Sequence, residues 1–93
     1  MAPYGQPMER LSTPGDQKKL QALLRQVRLE AGLTQDQLAE KLGRPQSFIS
    51  KYESGERRLD VLELREVCRA IGISLVDLVA RLDELLGDDG RPR

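Results

Sequence analysis

Thr34-Gln35-Asp36-Gln37-Leu38-Ala39-Glu40-Lys41-Leu42-Gly43-Arg44-Pro45-Gln46-Ser47-Phe48-Ile49-Ser50-Lys51-Tyr52-Glu53-Ser54-Gly55 carries two short helical signals with a tight turn between them. Thr34 followed three residues later by Gln37 is a capping box, in which each side chain satisfies a backbone N–H that the first helical turn leaves without an acceptor. Leu38 and Leu42 stand one helical turn apart. Gly43 suits the left-handed conformation that closes a helix, and Pro45 suits the first turn of the next one. Phe48, Ile49 and Tyr52 then fall on one side of that next segment, and Gly55 ends it. Gln46, Ser47, Ser50 and Lys51 are left for its outer side.

The same punctuation continues outward. Upstream, Leu20, Leu23, Leu24 and Val27 follow the i, i+3, i+4, i+7 spacing of an amphipathic helix. Thr13-Pro14-Gly15-Asp16 offers it an N-cap and a proline at the first helical position. Downstream, Asp60-Val61-Leu62-Glu63 is a second capping box, and Ser74-Leu75-Val76-Asp77 is a weaker form of the same signal. Leu64, Val67, Cys68 and Ile71 line a fourth helix. Leu75, Leu78, Val79, Leu82 and Leu86 line a fifth. Gly32, Gly72 and Gly87 end the remaining segments. No alternating strand pattern of useful length occurs. The expectation is an all-α fold of five helices in a single domain over residues 14–87. Residues 1–13, with Pro3, Gly5 and Pro7, and residues 88–93 read as flexible tails.

Composition narrows the function. Ninety-three residues suffice for one modest core, and with Tyr4, Phe48 and Tyr52 as the only aromatics that core must be aliphatic. No apolar run approaches the roughly 20 residues needed to span a bilayer, and no signal-peptide pattern opens the chain. The expected location is therefore cytoplasmic, with no membrane partner. Cys68 is the single cysteine and histidine is absent, so cysteine–histidine zinc sites and histidine-based triads are excluded. No cofactor, metal or enzymatic activity is expected. Cys68, on an apolar face, reads as core filler. Net charge is zero, but it is unevenly spread. Residues 17–59 hold nine basic and five acidic side chains, and residues 60–90 hold three basic and eight acidic ones. A basic middle and an acidic end give one face suited to phosphate and another suited to solvent or a partner.

Two short helices joined by a few residues match the helix-turn-helix, whose second helix enters the DNA major groove. The stretches Arg28-Leu29-Glu30-Ala31-Gly32-Leu33-Thr34-Gln35-Asp36-Gln37-Leu38-Ala39 and Gln46-Ser47-Phe48-Ile49-Ser50-Lys51-Tyr52-Glu53-Ser54-Gly55 resemble the Xre/Cro-type helix-turn-helix family. The resemblance runs from about Lys19 to Leu85. It implies a regulator that binds double-stranded DNA in a sequence-specific way.

The resemblance also implies roles. Gln35 would bond a backbone phosphate and buttress the start of the recognition helix, although Thr34 and Gln35 also suit a simple capping role. Gln46, Ser47, Ser50 and Lys51 become the base-reading candidates, because glutamine pairs bidentately with adenine and lysine donates to guanine. Arg44, Arg57 and Arg58, near the ends of the third helix, are phosphate candidates that would position the domain. Arg28 and Glu53 match positions that form a structural ion pair in the family. Glu56 departs from the pattern, since many members carry a cation after the glycine.

Regulators of this family commonly act as dimers, and two half-sites about 10–10.5 base pairs apart multiply affinity. The fifth helix is apolar over more than a narrow stripe, and Val76, Leu85 and Leu86 are its candidates for a homodimer interface. The reading is therefore a repressor that binds a palindromic operator as a dimer. Two alternatives stay open: an antitoxin-like regulator of a toxin–antitoxin pair, or a protein-interaction module, with an unidentified protein partner, that has lost DNA binding.

Overall fold

A computed structural model describes residues 14–87 of the chain. The tails expected at 1–13 and 88–93, and the Thr13 cap, lie outside the described residues. The described residues form five helices and no strand: α1 (Pro14–Glu30), α2 (Gln35–Leu42), α3 (Gln46–Ser54), α4 (Val61–Ile71) and α5 (Leu75–Leu86).

The boundaries follow local chemistry. Thr34 Oγ1 accepts from the Gln37 N–H, and the Gln37 side chain accepts from the Thr34 N–H, so the capping box before α2 is complete. Asp60 and Glu63 make the same reciprocal pair before α4, while Ser74 caps α5 with its hydroxyl alone. Gly43 closes α2 at φ 68°, a left-handed conformation that costs other residues a Cβ clash. The Arg44 N–H then donates back to the Ala39 carbonyl at 3.0 Å. That leaves Gly43, Arg44 and Pro45 as the whole connection to α3.

The helices close a ring of contacts: α1 against α3, α3 against α2, α2 against α4, α4 against α5, and α5 back against α1. All five contribute to one core. Leu23, Leu24 and Val27 come from α1, Leu38 and Ala39 from α2, Phe48, Ile49 and Tyr52 from α3, Val67 and Cys68 from α4, and Leu78 from α5. Each fully buried aliphatic side chain contributes about 1.5–3 kcal/mol. Burial pushes the Cys68 thiol above its ordinary pKa, which keeps it protonated and unreactive. Leu33, Leu59 and Ile73, from the connecting turns, pack partly buried against the core. Arg81 forms two 3.1 Å hydrogen bonds to the Glu30 carboxylate and ties α5 to the end of α1. Among the described residues, no helix is long and apolar enough to cross a membrane.

Candidate nucleic-acid interface

A chain of hydrogen bonds links the interior to the exposed start of α3. Arg28 on α1 grips Glu53 on α3 through two contacts, Nε to Oε2 at 2.8 Å and Nη2 to Oε1 at 2.9 Å. Its Nη1 donates to the Leu33 carbonyl at 2.9 Å. Both side chains are at least nine-tenths buried, at 7% and 5% exposure. The bond to Glu53, outweighing the opposing effect of burial, raises the guanidinium pKa further. Glu53 Oε1 also accepts from Gln35 Nε2 at 3.0 Å. Gln35 Oε1 in turn accepts from Gln46 Nε2 at 2.6 Å. Thr34 and Gln37 satisfy the cap of α2 between them, which leaves the Gln35 side chain free for this chain.

The direction of the chain is dictated from inside. A carboxylate paired with arginine only accepts hydrogen bonds. Gln35 must therefore turn its NH2 toward Glu53 and its oxygen toward Gln46. Gln46 must then turn its own NH2 toward Gln35. One Gln46 N–H and its Oε1 remain to face outward. A buried ion pair thus sets the donor–acceptor order of an exposed amide. Family resemblance pointed to Arg28 and Glu53 only as a pair; the hold of Glu53 on Gln35 has no signature in residue spacing.

The other outer-face residues of α3 are less constrained. Ser47 and Lys51 are exposed. Ser50 is half-buried, and its hydroxyl donates to the Ser47 carbonyl at 3.2 Å, so it keeps only acceptor capacity. Pro45 precedes α3 without a side-chain cap, so the first-turn N–H groups get no side-chain acceptor from it.

The three arginines are placed differently from one another. Arg44 lies over the Phe48 ring at 4.5 Å and reaches Glu66 only at 3.9 Å. Arg57 also lies over Phe48, at 4.8 Å, and bonds both oxygens of Glu63, at 2.7 and 3.1 Å. Arg58 is exposed and has no ion-pair partner among the described residues. Glu63 is thus doubly engaged, by Arg57 and by the Asp60 N–H, and these bonds hold its carboxyl down at about 2. Its capping role is legible in the sequence; its hold on Arg57 is not.

The apolar candidates on α5 do not form one patch. Val76 is 76% exposed and Leu85 47% exposed, while Leu86 is half-buried. Val76 and Leu85 are nine positions apart, which at 3.6 residues per turn puts them on roughly opposite sides of the helix. Val79 belongs to the apolar stripe read for this helix, yet it is 46% exposed. It sits one turn beyond Val76, and it shares a side of α5 with Leu86. Leu62, at the start of α4, is 73% exposed. Its apolar character was not singled out in the sequence because it falls off the helical stripe.

A helix-turn-helix family profile matches residues 24–78. The chain is 40% identical over 58 residues, 62% of its own length and 75% of the relative's, to an uncharacterised HTH-type transcriptional regulator of Sinorhizobium fredii. Among solved structures, it is similar to an XRE-family-like protein of Pseudomonas syringae pv. tomato. That similarity has a TM-score of 0.71 and 46% identity, over 78% of this chain and 88% of that one. It is also similar to a restriction-modification controller protein, C.Esp1396I, with a TM-score of 0.71 and 26% identity over 77% of this chain and 92% of that one. With this family match and a five-helix fold built around α2 and α3, the chain belongs to the Xre-type helix-turn-helix family of DNA-binding transcriptional regulators.

Proposed function

We propose that this regulator is a repressor that binds a palindromic operator as a homodimer, with α3 in the major groove. The observation that carries the proposal is the hydrogen-bonded chain from Arg28 through Glu53 and Gln35 to Gln46. An amide with one N–H and one oxygen held outward matches the N7 acceptor and N6 donor of adenine. Pre-organisation matters because a flexible glutamine would lose rotamer entropy on docking. Lys51 and Ser47 extend the reading face, and Ser50 accepts only. Gln35 has a second N–H for a backbone phosphate. Among the arginines, Arg58 is the freest cation for phosphate, Arg44 is weakly engaged, and Arg57 must first leave Glu63.

The homodimer buries the Val76, Val79 and Leu86 side of α5, which leaves Leu85 outside the contact. A two-fold interface uses the same patch on both copies, so one exposed valine is counted twice. The activity needs no metal or cofactor and no chemical step. Its place of action would be the cytoplasm, with the operator DNA.

Selection of bound duplexes from a random library, at about 150 mM salt where non-specific phosphate binding is weakened, tests the reading. The expected result is enrichment of a palindrome with half-sites about 10–10.5 base pairs apart. An enriched site without symmetry would remove the dimer. No enrichment by folded protein would favour the interaction-module alternative, for which the neutralised Arg57 and the acidic Glu56 are the supporting features.

A further inference from the structure

Behind the C-terminal end of α3 lies a cavity of about 160 Å³, bordered by α1, the Gly55–Leu59 segment and the first turns of α4. Leu20, Leu24, Leu59 and Leu64 give it an apolar side. A cavity of about 150 Å³ with such walls accepts a benzene molecule. Its polar side includes Arg57 and Arg58, and among the described residues no carboxylate borders it. Arg57 is already matched by Glu63, so the uncompensated charge at the rim is that of Arg58.

Tyr52 forms part of the same wall. Its hydroxyl is buried with no hydrogen-bond partner. Burial raises its pKa, so the group remains a proton donor, and it faces no acceptor. Buried donors in folded proteins are almost always matched, and an unmatched one calls for an explanation. Gln21 and Gly55 both border the cavity, and a Cβ on residue 55 would come within 2.6 Å of Gln21 Nε2. The contact is with the far end of a long side chain, which can swing aside.

We propose that this cavity is a binding site for a compact apolar organic acid. Its hydrocarbon body would fill the leucine-lined space, its carboxylate would meet Arg58, and displacement of Gln21 would let an oxygen accept from Tyr52. Nothing in this site depends on DNA. A carboxylate on Arg58 would, however, compete with phosphate for the freest cation next to α3. The ligand is thus an effector that lowers operator affinity, a consequence that rests on the function proposed above.

The test uses the full chain labelled with 15N and titrated with benzoate to about 20 mM, a range in which a millimolar dissociation constant approaches saturation. The expected result is saturable shifts of the backbone amides of Gln21, Gly55, Arg58 and Leu59. Arg58→Ala should weaken binding by about two- to fivefold, the upper half of the range for an exposed ion pair. Tyr52→Phe should weaken it also, while neutral benzyl alcohol should bind less tightly than benzoate. Absence of saturable shifts overturns the site. Equal affinity for benzoate in wild type and Arg58→Ala overturns its preference for acids. In a second arm, saturating benzoate should reduce binding to the selected operator. Saturable shifts with unchanged operator affinity overturn the effector role, whereas failure of the free protein to select any operator counts against the proposed function and leaves the ligand site standing.

Discussion

The two ends of the molecule solve opposite problems. At the α2–α3 end, polar side chains are tied to one another, from Arg28 in the interior to Gln46 at the surface. On α4 and α5, Leu62 and Val76 are largely exposed and Val79 is about half exposed. A surface that reads hydrogen-bond patterns needs its donors and acceptors fixed in advance, and only a network anchored in the core does this. A surface that joins another copy needs area, and apolar side chains supply area without fixed geometry. The contrast teaches that the proposed reading end owes its fixed amide order to a buried charge pair, whereas the other end offers apolar area, which the proposed homodimer would cover.

The largest effect should come from the anchor of the reading end. Glu53→Ala leaves the Arg28 guanidinium buried without its carboxylate, and breaking a buried pair costs about 3–5 kcal/mol. Urea unfolding followed by circular dichroism measures this. A loss below about 1 kcal/mol would place the pair with ordinary surface bridges. Next is the other end. Val76→Asp should leave the fold intact and abolish association in sedimentation equilibrium. At about 1.5 kcal/mol per buried valine, counted once from each copy, the loss is about 3 kcal/mol. Leu85→Asp, on the far side of α5, should leave association unchanged; if it dissociates the dimer instead, the assigned face is wrong.

A smaller effect is expected where the network meets the groove. Gln46→Ala should weaken operator binding by about 1–3 kcal/mol with no change in unfolding midpoint. Lys51→Ala should act similarly, and unchanged operator affinity in both variants would remove α3 as the reading helix. Arg58→Ala should lower affinity for all duplexes alike and reduce the slope of log affinity against log salt by about 1. Arg57→Ala should do less, since its charge is already matched by Glu63.

The smallest effect concerns pH. Arg57 and the Asp60 N–H hold the Glu63 carboxyl at about 2, below its ordinary 4.5. Its stabilising contribution is therefore present above about 4.5 and is lost as pH falls toward 2. Glu63→Gln should flatten the acid side of the melting-temperature profile in that window. An identical profile for both proteins would mean that the Arg57–Glu63 contact carries no stability.

Much of this is legible in the residues alone. Capping boxes, glycine stops and 3.6-residue periodicity are local signals, set by residues within one helical turn of each other, and they located all five helices and the core residues of α3. Family resemblance added the pairing of Arg28 with Glu53. What local patterns do not hold is distance between residues far apart in the chain. The resemblance implies that Gln35 buttresses the start of α3, but the packing of α2 on α3 is what brings the Gln35 and Gln46 amides to 2.6 Å. Arg57 reads as a phosphate candidate because nothing in its sequence neighbourhood announces that Glu63 folds back onto it.

The sequence by itself determined the class of fold, the helix boundaries, the family and the polar face of α3, because each depends on short-range sterics or on residue identity. Tertiary structure alone decided which amide order Gln46 presents, which arginine keeps its charge available, and which side of α5 stays uncovered. Those outcomes depend on where helices cross, and helix crossing is a property of the whole core rather than of any segment.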